Sequence, residues 1–206
     1  MVTIGGLLGN RTRVKILRLM FGTPGRALAS QEIARLGKLG LGNTYETLSG
    51  LVKNGILDKT TGTAGTADNA KSALYALNQA SPFFKDLDGL FETERRTITK
   101  NWNKINAMED FIEALEKEGL GFFSATLFGS VARGTDTPKS DIDILVETDE
   151  GNTKRVLDIA ERTGEEHGIP INVTVGLLDA AIKTKNRTLF DNITREGIRI
   201  FNGTRR

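Results

Sequence analysis

Apolar residues fall at helical spacing in the first quarter of the chain. Val14, Ile16, Leu17, Leu19 and Met20 predict a helix over Arg11–Phe21 with one buried face, ended by Gly22 and Pro24-Gly25. Ser30 precedes a second short helix with Ile33, Ala34 and Leu36 inward, closed by Gly37. Asn43, with Glu46 three residues on, reads as the cap of a third helix, whose stripe is Leu48, Leu51 and Val52 and whose stop is Asn54-Gly55. The period then shortens. Ile56–Lys59 and Ala73–Leu77 read as strands around a Gly, Thr, Ala, Asp and Asn loop from Thr61 to Lys71.

Ser81-Pro82 begins a different pattern. Leu87, Leu90, Phe91, Ile98, Trp102, Ile105, Met108, Phe111, Ile112 and Leu115 predict one long helix or two in line, with Trp102 as an interior anchor. Such a stripe is either core or a seam between two copies. Beyond Gly119 the elements alternate: a strand over Phe122–Phe128, a strand over Ile142–Val146, a helix over Asn152–His167 with Val156, Leu157, Ile159 and Ala160 inward, and a strand over Ile169–Val175. Short helices at Leu177–Ile182 and Phe190–Glu196 precede a closing strand, Ile198–Phe201. This alternation fits a small mixed sheet covered by helices.

The chemistry concentrates in Leu127–Glu147, LFGSVARGTDTPKSDIDILVE. On a strand Asp141 and Asp143 share a face, about 6–7 Å apart along the backbone, while Ile142, Ile144 and Val146 face a core. Two adjacent carboxylates repel unless a cation lies between them, and Mg²⁺ is commonly held by one or two carboxylates plus substrate phosphates. Gly129 after a strand lets backbone approach a ligand closely. Residues Gly129-Ser130-Val131-Ala132-Arg133-Gly134 and Ser140-Asp141-Ile142-Asp143-Ile144-Leu145-Val146 together resemble the signature of the minimal nucleotidyltransferases of the DNA polymerase β superfamily, over roughly residues 120–202. The resemblance implies that Gly129 and Ser130 hold a nucleoside triphosphate and that Asp141 and Asp143 ligate Mg²⁺ or Mn²⁺. Arg133 and Lys139, in the loop that joins the Gly-Ser pair to the Asp pair, can neutralise phosphate charge during transfer, or Arg133 can brace the loop.

One position departs from the family. Its third acidic residue, on the next strand, aligns with Asn172. An amide oxygen can ligate a hard cation but cannot accept a proton as a base. Glu147 is no substitute, since four strand residues place it about 13 Å from Asp143. Either two carboxylates suffice for catalysis, with Asn172 positioning metal, water or acceptor, or the domain binds nucleotide without turning it over.

Charge bears on the N-terminal part. Residues 1–80 carry a net +6 and residues 81–206 a net −4. Such asymmetry makes the basic part a candidate for nucleic acid. Three helices and a hairpin form a winged helix, and Arg13-Val14-Lys15-Ile16-Leu17, Gln31-Glu32-Ile33-Ala34 and Leu48–Leu57 resemble winged helix-turn-helix transcription regulators. The resemblance implies that the third helix enters the major groove, with Asn43, Thr44, Tyr45 and Thr47 on base edges. Arg13, Lys53, Lys59 and Lys71 are then phosphate contacts. A protein-interaction role for the same module is the alternative.

Composition removes other classes. The chain has no cysteine and one histidine, so disulfides, thiolate sites and His-based zinc sites are out. No long apolar run or basic-then-apolar leader points to a membrane or to secretion, and the expected location is cytoplasmic. His167 follows Arg162 at the Arg-x-x-x-x-His spacing of HEPN ribonucleases but lacks their following aromatic, and it reads instead as a helix C-terminal residue. The expected architecture is α+β: a winged helix over 1–80, a helical connector over 81–119 and a nucleotidyltransferase domain over 120–206. Expected partners are double-stranded DNA, a nucleoside triphosphate and a second copy through the connector. The expected function is a DNA-binding, Mg²⁺-dependent nucleotidyltransferase; the alternative is a transcriptional regulator with a degenerate, nucleotide-sensing or dimerising domain.

Overall fold

A computed structural model describes residues 9–63, 71–120, 123–176 and 187–203. The described residues divide into two compact units, one up to residue 94 and one from residue 95. Among the described residues, no helix is long and apolar enough to cross a membrane.

The first unit holds α1 (Arg11–Gly22), β1 (Leu28–Ala29), α2 (Ser30–Gly37), α3 (Leu41–Lys53), β2 (Leu57–Thr63), β3 (Lys71–Leu77) and most of α4 (Phe84–Thr97). The Asn10 side chain accepts from the Arg13 amide at 2.9 Å and caps α1. The predicted stripe residues of α1 are all buried, as are Leu28, Ile33, Leu48, Leu51, Leu57 and Tyr75. The strands form an antiparallel sheet in the order β1-β3-β2. β1 escaped the sequence reading because two residues carry no detectable period. Helix α3 begins at Leu41 rather than behind a cap at Asn43: Gly40 takes the cap position, and the buried Thr44 hydroxyl donates to the Gly40 carbonyl at 3.0 Å. The tip of the hairpin, residues 64–70, lies outside the described residues.

The segment expected as one connector is two helices separated by Ile98–Asn101. Helix α4 belongs largely to the first unit, where Phe91 stacks on Phe21 at 5.1 Å and buried Glu94 accepts two bonds of 2.8 Å from buried Arg18. Helix α5 (Trp102–Lys117) belongs to the second. Its stripe of Ile105, Met108, Phe111, Ile112 and Leu115 is core, packed with Ile144, Val146, Val156 and Ile159. Trp102, the lone tryptophan, opens α5 half-buried rather than as an interior anchor.

The second unit continues with β4 (Phe123–Phe128), α6 (Gly129–Ala132), β5 (Ile142–Thr148), a 3₁₀ turn (Glu150–Asn152), α7 (Thr153–His167), β6 (Ile171–Val175), α8 (Arg187–Glu196) and β7 (Ile198–Asn202). The sheet order is β6-β5-β4-β7, with β5 and β6 parallel and the other pairs antiparallel. Ile142, Ile144 and Val146 enter the main core, whereas Leu145 meets Ile193 of α8 on the opposite face. Strand alternation therefore directs Asp143 to the α8 face. Leu157, expected inward on α7, is 45% exposed. The helix expected over Leu177–Ile182 lies outside the described residues. His167 does more than end a helix. It is buried, with Nε2 2.8 Å from Asp110 Oδ2 and Nδ1 3.1 Å from Asn103 Oδ1, and it ties α7 to α5.

Candidate functional site

Sheet register builds the C-terminal site. Phe128, the last residue of β4, lies opposite Asp143 on β5, and Asp143 lies opposite Asn172 on β6. Asp141 immediately precedes β5. The Asn172 amide nitrogen donates to Asp141 Oδ2 at 2.5 Å and to Asp143 Oδ1 at 3.3 Å, so one side chain links both carboxylates. At Gly129 the chain leaves β4 with φ +73°, and a Cβ there would overlap the Asp143 carboxylate. Only glycine meets both demands, the left-handed backbone and the missing side chain.

Burial pushes the Asp143 carboxyl above its usual range and the charge of Asp141 adds to the rise, while the Asn172 hydrogen bond and Arg133 oppose it. A carboxyl raised in the fold binds its proton more tightly there than in the unfolded chain. The Asp143 contribution to metal-free stability is then largest below the usual carboxylate range and is lost as pH rises through the raised value. Asp143→Asn is expected to raise the melting temperature in chelator at neutral pH and to change it little at acid pH, where Asp143 is already protonated. Thermal denaturation at both values checks this; equal shifts would remove the electrostatic explanation.

Ser130, Arg133 and Lys139 follow in the same connection. Ser130 is half-buried on α6, and its carbonyl accepts from the Thr135 amide at 3.0 Å. Arg133 is exposed, within electrostatic reach of Asp143 and 3.5 Å from Glu196 Oε2. Lys139 stands exposed two residues before Asp141. The site thus gathers Gly129, Asp141, Asp143 and Asn172 directly, with Arg133 nearby. Glu147 is engaged elsewhere on β5, accepting from Ser124 Oγ at 2.6 Å and pairing with Arg199 at 2.9 Å.

The donor set suits a hard divalent cation. Two carboxylates and an amide offer only oxygen ligands once the amide turns its oxygen inward, and oxygen is what Mg²⁺ and Mn²⁺ prefer. Among the described residues, no group of three or more His, Cys, Asp or Glu is arranged to hold a metal. The third donor here is neutral.

Sequence reasoning missed Lys104. It is fully buried on α5, where its ammonium donates to Asp136 Oδ2 at 2.8 Å and to the Thr137 carbonyl at 2.7 Å, both in the loop between the two half-motifs. A lysine one residue before Ile105 in an apolar stripe was the available signal.

In the first unit, Asn43 and Tyr45 are exposed near the start of α3 and Thr47 is half-buried. Thr44 is corrected: with its side chain buried and bonded to Gly40, it cannot reach a base edge. Arg13, Lys53 and Lys59 are exposed on α1, α3 and β2. The backbone of Lys71 starts β3, but its side chain is outside the described set. A cleft of about 770 Å³ beside α2 is lined by Arg26, Ser30, Gln31, Glu32, Arg35, Tyr45 and Ser72, among others, which adds two arginines that the sequence did not single out, Arg26 being paired with Glu32.

Comparison with known proteins places these observations. The family described as "Polymerase beta, Nucleotidyltransferase" matches residues 93–206. A Methanocaldococcus jannaschii protein named "Putative protein adenylyltransferase" is 33% identical over 96 residues, which are 46% of this chain and 95% of that protein. A solved structure titled "Possible transcriptional regulator" from Methanosarcina mazei Go1 aligns with 56% of this chain and 83% of its own, at 11% identity and a TM-score of 0.32, too slight a likeness to assign a fold or a role.

Proposed function

The chain belongs to the polymerase β nucleotidyltransferase family, and from that premise we propose that it is a DNA-binding nucleotidyltransferase whose second unit uses Mg²⁺ or Mn²⁺ and a nucleoside triphosphate. The observation that carries this reading is the convergence of Asp141, Asp143 and Asn172 on one point beside a side-chain-free Gly129. Asp141 and Asp143 would hold the metal, with Asn172 as a neutral third donor, and a divalent cation in that position supplies charge neutralisation along the triphosphate. Gly129 and Ser130 would seat the phosphates, and Arg133 and Lys139 would offset charge on the departing group. In the reaction an acceptor hydroxyl oxygen bonds to the α-phosphorus and loses its proton to solvent water, the bond from that phosphorus to the bridging oxygen breaks, and pyrophosphate leaves. The relative's name makes ATP the first donor to test and a protein hydroxyl the first acceptor.

Incubation with α-labelled ATP, CTP, GTP and UTP, with Mg²⁺ or Mn²⁺ and cell extract, tests the reading beside an Asp141→Ala/Asp143→Ala variant. Label transferred by the wild type alone is the expected result. The neutral amide at position 172 favours a second reading, a regulator that senses nucleotide without turnover. Metal-dependent nucleotide binding with no transfer would select it, and neither binding nor transfer would sink both.

For the first unit the proposal is a winged helix that lays α3 in the major groove of DNA. Asn43, Tyr45 and Thr47 would meet base edges, and Arg13, Lys53, Lys59 and Lys71 would meet phosphates. Lys53→Ala/Lys59→Ala is expected to weaken binding evenly across sequences and to reduce the log–log salt slope by about 2, one per phosphate contact. Fluorescence anisotropy over a salt series measures it. An unchanged slope would take both lysines off the phosphate path.

A further inference from the structure

We propose that Lys104 is a positioning residue for the carboxylate site, acting through the loop of residues 133–141; the proposal rests on the nucleotidyltransferase reading above. Most of that loop is exposed, and Arg133, Gly134, Thr135, Thr137, Pro138 and Lys139 all face solvent. Asp136 is turned inward. Its side chain is 7% exposed, and its Oδ2 accepts from Lys104 Nζ and from Thr99 Oγ1, each at 2.8 Å. The Lys104 ammonium also donates to the next carbonyl, Thr137 O, at 2.7 Å. Thr99 is itself fixed, since its hydroxyl accepts from the Asn101 amide at 3.1 Å.

From this anchor a short path leads to the site. The Thr137 amide donates to Ser140 Oγ at 3.0 Å, and the Ser140 amide donates back to the Thr137 carbonyl at 3.0 Å. Asp141 is the next residue. The position of one site carboxylate is therefore set from α5, through Asp136 and a closed turn, while Asp143 is set independently by its place inside β5. The register between the two depends on both supports. Burying an ammonium is costly, and a buried ion pair is weak evidence for net stability, because apolar groups of similar size often do as well. A stabilising role alone does not explain a charged tether at this point; a fixed loop geometry does.

The test removes both charges together, so that neither is left buried without its partner. Lys104→Met/Asp136→Asn keeps the helix face apolar and leaves an amide oxygen for Thr99. Two measurements are read on the full chain. Hydrogen exchange at the amides of Thr135, Thr137 and Ser140 should quicken at least about tenfold, and Mn²⁺ affinity, followed by the free-ion resonance signal, should fall at least about tenfold; such factors correspond to a released hydrogen-bonded tether. In the transfer assay the apparent KM for Mg·ATP should rise more than kcat falls. Unchanged exchange would overturn the proposal, because the tether would then not hold the loop. Faster exchange with Mn²⁺ affinity equal to the wild type's would overturn it too, because the loop would then not set the site. A wild type that binds no Mn²⁺ would overturn the metal-site reading and, with it, the role assigned to Lys104.

Discussion

Gly129→Ala should leave a folded protein whose nucleotide transfer is lowered at least about a hundredfold. The backbone there has φ +73°, and a residue with a Cβ loses about 1–2 kcal/mol in that conformation. At about 2–4 °C per kcal/mol for a chain of this size, the melting temperature should fall by a few degrees. The functional loss should be far larger. The added methyl would occupy the space of the Asp143 carboxylate, which can clear it only by leaving its place beside Asn172. A displacement on the order of 1 Å at a reacting centre can cost about a hundredfold in rate, so transfer should fall at least that much. Circular dichroism melting and the labelled-nucleotide assay measure the two effects separately. Near-normal transfer by the alanine variant would mean that Asp143 is not used in the position described.

The opposite outcome is expected for Asn172→Asp. The amide lies within hydrogen-bonding distance of both carboxylates, and aspartate has nearly the same shape. The substitution replaces a donor with a third negative charge and a possible proton acceptor. A positioned general base contributes about 10²–10⁴-fold to a reaction of this kind, so an enzyme lacking only its base should gain at least tenfold in turnover. The same change should lower metal-free stability, since three like charges then crowd one point, and should enlarge the rise in melting temperature on adding Mn²⁺. Thermal shifts with and without the ion, beside single-turnover transfer, decide the matter. If neither turnover nor the ion-induced shift increased, position 172 would not be the place of a missing carboxylate.

Much of the second unit could be read from the sequence because its pattern is local. The strand ending at Phe128, the Gly129-Ser130 break and the alternating Asp141-Ile142-Asp143-Ile144 run each announce themselves within a few residues. Register then adds what alternation alone cannot: that Asp143 stands across from Asn172 on a parallel neighbour. Lys104 was not legible, because its partner lies 32 residues away and pairings at that separation leave no periodic trace. Thr44 was misplaced for a related reason. A capping rule pointed to Asn43, but helix α3 starts at Leu41, and the shift turned an expected base-reading side chain into the core. The connector misled in the same way. Its three-and-four spacing correctly marked buried faces, yet spacing carries no information on which unit buries them, and α4 and α5 pack largely in different ones.

Trp102 has a practical corollary. It is the chain's lone tryptophan and belongs to the second unit, whereas both tyrosines, Tyr45 and Tyr75, belong to the first. The two units therefore carry different intrinsic fluorophores. Excitation at the red edge follows the second unit alone, and the tyrosine contribution follows the first, in the intact chain with no label or truncation. Denaturation curves that coincide at both wavelengths would mean one cooperative transition, and curves that separate would give each unit a free energy of its own.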